Sequence, residues 1–408
     1  MRGIKALTFL MFLMFAMTTD SVGLIIPEII KTFRLSMTAA GTFQYASMAG
    51  IAVAAFFLGH LADRMGRKVT ILAGLTLFAA ASYLFVAGSS FLYFSALLFV
   101  SGMGIGVFKT GALALIGDLS KSTTEHTSLM NTVEGFFGVG SIIGPAILAY
   151  LVARGASWKG LYLLAGTMCA LLILIALRAR YPRRMKTGED ETDFKHTVAA
   201  MGNRYALGFS LGAFLYVATE AAIYVWMPTL LAGYRGSAVI LAAYSVSVFF
   251  ILRAAGRFIG AWMLQRFYWT KVLALFSGAV FACFLGSAIW GAGAAVYLLP
   301  GSGLFMSVIY PSINSKGISC FPKAEHGAVA GVILFFTCLS AVMGPLAMGA
   351  VSDAMGGAKY GFDLATLFAA LLFAGLLFNW MGDPARRVLK SLDASEYDGA
   401  AWKEAASR

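Results

Sequence analysis

Charge is scarce in this sequence, and acidic charge most of all. Its 408 residues hold 19 Asp and Glu against 31 Lys and Arg, and charged residues make up 12% of the chain. A typical soluble domain carries about twice that share, so a water-soluble enzyme is excluded. The four cysteines, Cys169, Cys283, Cys320 and Cys338, fall in apolar stretches without Cys-x-x-Cys or Cys/His spacing. They offer neither a disulfide framework nor a zinc site and read as core packing. No G-x-x-x-x-G-K-[ST] run occurs, and no polar stretch is long enough to fold into a nucleotide-binding domain, so ATP hydrolysis has no carrier. No cofactor or metal is expected. A formal charge of +12 points to nucleic acid in a soluble protein. Here the basic residues lie between apolar runs, where membrane orientation explains them better.

What the sequence has is apolar length: 60% of its residues are hydrophobic. A membrane-crossing helix needs about 20 such residues, and twelve runs qualify: 4–33, 38–61, 68–88, 91–117, 124–154, 157–180, 204–232, 237–265, 270–292, 294–318, 324–355 and 360–382. They are called spans one to twelve below. The first, with Asp20 inside it, is too long for a signal-peptide core. Six basic residues (Lys31, Arg34, Arg154, Lys159, Arg235, Lys359) fall on one side and Lys109, Arg253 and Arg257 within spans, while the rest gather on the other side. By the positive-inside rule that side is cytoplasmic and holds both termini. The expected fold is an all-α membrane protein: an N-terminal six-helix half over 1–182, a cytoplasmic linker over 183–203, a C-terminal half over 204–382 and a cytoplasmic tail over 383–408.

The two halves repeat each other. A shift of 200 residues places Glu125-His126 on Glu325-His326, Phe136 on Phe336 and Gly144-Pro145 on Gly344-Pro345, and it sets Thr19-Asp20 on Thr219-Glu220. Six-plus-six repeats of this kind suit transporters whose solute site lies between the halves near the bilayer midplane. Ser122-Thr123-Thr124-Glu125 forms a capping box at the start of span five, and Pro322 with Glu325 stands at the equivalent place before span eleven. Glu125, Glu325, His126 and His326 are therefore read as structural.

Between spans two and three runs Gly59-His60-Leu61-Ala62-Asp63-Arg64-Met65-Gly66-Arg67-Lys68. It resembles the G-x-L-x-D-R-x-G-R-K signature of the major facilitator superfamily, and with the twelve spans and the repeat the likeness covers the whole chain. The resemblance implies that Gly59, Asp63, Arg64, Gly66, Arg67 and Lys68 latch the cytoplasmic side of the outward-open state. The matching loop of the second half, Gly256 through Arg266, keeps glycines and bases but has no acid equivalent to Asp63, so latching there must be weaker or different.

Asp20, Gly104–Thr110, Asn131–Glu134 and Gly303–Pro311 together resemble the fucose-permease-like sugar:proton symporters. In that group span four often carries an acid where this chain has Lys109, and span five an amide where it has Glu134. A competing likeness is Gly140–Pro145, similar to the core of the drug:proton antiporter signature in span five. Gly-Pro within a membrane helix also serves bending and packing alone.

Ionisable groups inside spans cost from about 2.5 kcal/mol upward and mark cavities or partners. Spans four and five are antiparallel neighbours, so Lys109 and Glu134 reach similar depth and an ion pair is expected. Asp20, near the middle of span one with no opposite charge nearby in sequence, is the expected proton site, with Lys109 and Glu134 as its switchable partners. Glu220 occupies the repeat-related position, with Tyr216 and Tyr224 one turn away on either side. Tyr310 and Asn314 are four apart on span ten, and Asn131 is one turn from Glu134. Arg253 is deep enough to meet an anionic solute or to pair with Glu220, whereas Arg257 is read as a loop-side charge. The expected function is secondary transport of a small polar solute, sugar-like or an organic anion, coupled to protons by alternating access in the inner membrane. The protein is expected to act as a monomer, with lipid bilayer, solute and protons as its partners and no nucleic acid. Drug or metabolite efflux and a non-transporting receptor or scaffold are the alternatives.

Overall fold

The computed structural model describes residues 2–21, 25, 32–34, 37–182, 194–231 and 234–397. Ten of its helices are long and apolar enough to cross a membrane, and two shorter apolar runs, Gly3–Thr19 and Tyr45–Leu58, fall at spans one and two. The described residues form helices without a strand. Twelve spans in two six-helix halves account for the chain, as expected.

Prolines explain where the spans break. Pro311 has no N–H for the carbonyl four residues back, and span ten divides there into Ala292–Met306 and Ile309–Ser319. Pro228 stands likewise to Tyr224, and span seven changes from an α-helix over Arg204–Ala221 to a wider π-turn over Ala222–Trp226. The expected span one, 4–33, is described only in part. Its described helix, Arg2–Thr19, ends in a turn at Asp20–Ser21, so Asp20 sits at a helix end.

Repeat-related glycines let spans five and eleven approach their neighbours. A Cβ on Gly144 would stand 2.1 Å from the Met17 carbonyl of span one, and one on Gly344 would stand 3.1 Å from Ala218 Cα of span seven. Lipid offers no hydrophobic drive for helix association, so such close backbone packing carries much of the cohesion. Gly144→Val should therefore force spans one and five apart and cost about 1–3 kcal/mol. Thermal unfolding of the purified protein in detergent checks this, and an unchanged midpoint contradicts it.

Linker and tail are structured where they are described. Phe194–Gly202 is a helix whose Phe194 stacks on Phe57 of span two, with centroids 5.4 Å apart. After span twelve, Arg386–Leu392 forms a helix that runs into a π-turn over Asp393–Tyr397.

Candidate functional site: an interface latch and a central charge cluster

Polar contacts between the halves begin at the loop after span two. Asp63 is fully buried. Its Oδ1 accepts from the Gly327 N–H at 2.9 Å and its Oδ2 from the Ala328 N–H at 2.8 Å. These amides open span eleven, where a negative charge meets the positive helix end. Arg67 Nη1 donates to Asp63 at 2.6 Å, its Nε to Asp118 at 2.9 Å and its Nη2 to the Lys323 carbonyl at 2.5 Å. Gly66 provides the turn with φ 89°, in the region that favours glycine. Gly59 lies against Gly327 and Gly331 of span eleven. Lys68 departs from the expected latch: its Nζ donates at 2.7 Å to the Leu177 carbonyl of its own half and caps the end of span six. Arg64 is exposed.

At the equivalent place in the other half, the missing acid comes from the tail. Asp393 accepts from the Thr123 N–H at 2.7 Å and from its hydroxyl at 3.0 Å, at the opening of span five. Lys316, counted from sequence among the loop cations, is buried and donates at 3.0 Å to the Thr123 carbonyl. Farther in, the halves are joined by Thr127 with Ser315 at 3.0 Å, by Asn131 Nδ2 donating to Ser312 at 3.2 Å, and by His126 with Ser319. His126 and His326 stack with centroids 5.8 Å apart, on either side of the repeat axis. The Ser122 hydroxyl accepts from the Glu125 N–H at 3.0 Å, as the capping box predicts.

The central charges pair differently from the sequence-based expectation. Glu134 meets Arg257 across the halves, with Nη2 at 3.4 Å from its carboxylate and Nη1 donating at 2.7 Å to its backbone carbonyl. Arg257 is thus buried in the interface and is no loop-side charge. Its position one turn from Arg253, well inside span eight, was the signal against a loop-side reading, although the helix it faces was not legible. Lys109 does not pair with Glu134: its ammonium stands 4.6 Å from the centroid of the Phe137 ring. Depth matched, but the Arg257 guanidinium reaches Glu134 from the other half.

Glu220 is held by Arg253 and by the Tyr216 hydroxyl, which donates at 2.8 Å. Tyr216 stacks on Tyr310 with centroids 5.7 Å apart. Tyr224 has no described hydrogen bond to Glu220; its ring stacks on Phe250 at 6.5 Å, and it lies within electrostatic reach of Glu220 and Asp20. The Arg253 guanidinium lies 4.9 Å from that same Phe250 ring. Asp20 accepts a hydrogen bond from Ser141 of span five and lies within electrostatic reach of Lys109, Arg253 and Glu220. Asn131 Oδ1, Asn314 Oδ1 and the Nε atoms of Arg253 and Arg257 are buried without a hydrogen-bond partner among the described residues. A buried orphan of this kind costs about 1–3 kcal/mol, so these atoms are natural contacts for a polar solute.

Residues 8–345 match the sequence profile of the Major Facilitator Superfamily. A TsgA homolog of Buchnera aphidicola is 22% identical over 387 residues, covering 92% of this chain and 93% of its own. The L-fucose-proton symporter of Escherichia coli K12 is 24% identical over 404 residues, covering 89% of each chain. The crystal structure of the transporter FucP in the outward conformation superposes with a TM-score of 0.78 at 23% identity, covering 92% of this chain and 98% of that one. Signature loop, internal repeat, twelve-span architecture and profile agree, and the chain belongs to the Major Facilitator Superfamily.

Proposed function

We propose that this multi-pass membrane protein takes up a small hydroxylated, sugar-like solute together with protons, by rocking of its two halves about the central charge cluster. The observation that carries the reading is Asp20. Among the described residues it is the acid of the cluster with no cation in contact: it accepts from the Ser141 hydroxyl, while Glu134 and Glu220 each hold an arginine. An acid without a cation in contact is free to gain and lose a proton, which a coupling site requires. Tyr216 and Tyr310 add ring faces and hydroxyls suited to a sugar. The similarity to an L-fucose-proton symporter supports the same reading.

The clamped Asp63 side is then the cytoplasmic side, both termini are cytoplasmic and the protein resides in the inner membrane, consistent with the distribution of Lys and Arg. Efflux by antiport has less support. The Gly140–Pro145 element that resembles the antiporter signature is accounted for by packing, since a Cβ on Gly140 would stand 2.1 Å from the Leu13 carbonyl and one on Gly144 2.1 Å from that of Met17. Uptake into proteoliposomes under an imposed pH gradient, across sugars, sugar acids and dyes, tests the reading. Accumulation of a hydroxylated solute that collapses with the gradient is expected. Extrusion of dyes with no uptake of any hydroxylated solute overturns it.

A further inference from the structure

Two ion pairs, Glu134–Arg257 and Glu220–Arg253, neutralise four of the six central charges. Asp20 and Lys109 remain. Among the described residues Lys109 makes no ion pair and no hydrogen bond. Its ammonium stands 4.6 Å from the centroid of the Phe137 ring, with the Cys338 thiol of span eleven and Asp20 within electrostatic reach. A ring face attracts a cation but leaves its three N–H donors unused. An ammonium kept so inside a membrane protein marks a place where an anion is missing.

We propose that Lys109 is the anion receptor of the central site and that the solute is a hydroxylated carboxylate, carried with one proton on Asp20 as an electroneutral pair. This rests on the proton-coupled uptake proposed above and names its substrate class. The charge count enforces the coupling. With Asp20 ionised and the site empty, Asp20 and Lys109 cancel. With Asp20 protonated and a carboxylate on Lys109, the site is again neutral. A proton alone leaves one positive charge and a carboxylate alone one negative charge, each suppressed roughly 70-fold by the cost of an uncompensated charge in the membrane. Only the empty and the doubly loaded states then rock freely. A neutral sugar entering with a proton would leave Lys109 uncompensated. The stacked Tyr216 and Tyr310 rings and the polar strip of the Ser312 and Ser315 hydroxyls and the Asn131 amide receive the hydroxylated part of the solute.

Matched pairs of neutral and carboxylated hexoses, galactose with galacturonate and glucose with gluconate, test this in proteoliposomes under a pH gradient, with and without a potassium–valinomycin clamp on the membrane potential. A carboxylated member should accumulate at a rate the clamp does not change. Lys109→Gln should raise its half-saturation concentration roughly 10- to 100-fold, and Lys109→Arg should restore it, with thermal unfolding confirming that both variants fold. Accumulation of the neutral members alone, uptake that follows the clamp, or wild-type affinity in Lys109→Gln overturns the proposal and leaves proton-coupled uptake standing. Failure of every hexose and hexose acid to accumulate overturns both.

A second inference rests on other residues. Under the 200-residue repeat, Thr123 corresponds to Lys323. Arg67 binds the Lys323 carbonyl while Asp63 caps span eleven, and Lys316 binds the Thr123 carbonyl while Asp393 caps span five. Tyr397 is buried beside Lys323, whose ammonium stands 4.2 Å from its ring. The tail, which leaves the C-terminal half at span twelve, thus holds the start of span five in the N-terminal half. We infer that the tail is the second latch of this side and must release before the halves part there.

A cysteine at Ser315, in a background lacking the four native cysteines, reports that parting through its labelling rate with a water-soluble thiol reagent. Asp393→Asn and, separately, Tyr397→Ala should speed labelling roughly tenfold, with Asp63→Asn as the positive control and full-length chains throughout. Unchanged labelling in both tail variants, where the control responds, overturns the inference.

Discussion

Replacing Asp63 by Asn should lower solute uptake by roughly 100-fold or more while the protein remains inserted and folded. The carboxylate is fully buried and accepts three hydrogen bonds, from two span-eleven amides and from Arg67. An asparagine accepts through one oxygen, and its NH2 is turned toward a donor whichever way the amide faces. Removing one partner of a buried charge pair costs about 3–5 kcal/mol, and about 1.4 kcal/mol is a factor of ten. That loss falls on the state in which the Asp63 side is closed, since span eleven belongs to the opposite half. Asp118 still neutralises Arg67 in the variant, which is why the fold should survive. Uptake at equal membrane abundance is the measurement, and wild-type rates would reduce the loop to a topological signal.

The contacts of this loop were partly legible because its parts are local. Gly66, Asp63 and Arg67 lie within one turn, and their chemistry needs only a helix end to act on. The twelve spans were readable for a similar reason: lipid makes apolar length the dominant constraint. Partners across the pseudo-twofold axis were not readable. Depth along a helix can be counted, but azimuth depends on how the halves dock, so Lys109 and Glu134 matched in depth while Arg257 took the carboxylate. The α-helical count that sets Tyr224 one turn from Glu220 does not show the π-turn before Pro228 in which Tyr224 lies. Asp393 lies 270 residues from Thr123, and nothing in a lone tail acid announces which helix end it will cap.

Asp20→Asn should abolish pH-driven accumulation while leaving exchange of solute across the membrane intact. One pH unit stores about 1.4 kcal/mol per proton, enough for roughly tenfold accumulation at one proton per solute. In the variant that ratio should fall to one. Asparagine keeps the hydrogen bond with Ser141 but can neither bind nor release the proton, so position 20 is permanently neutral. With solute bound, a carboxylate on Lys109 leaves the centre neutral, and the loaded protein can still rock and exchange labelled for unlabelled solute. Without solute, Lys109 has no counter-charge, and the empty return that net uptake requires stalls. The same substitution therefore separates two half-cycles that share every other residue. Counterflow at near wild-type rates with no net accumulation is the expected pair of results. Accumulation with the wild-type pH dependence would move the coupling role to Glu134 or Glu220, each of which must first let go of its arginine.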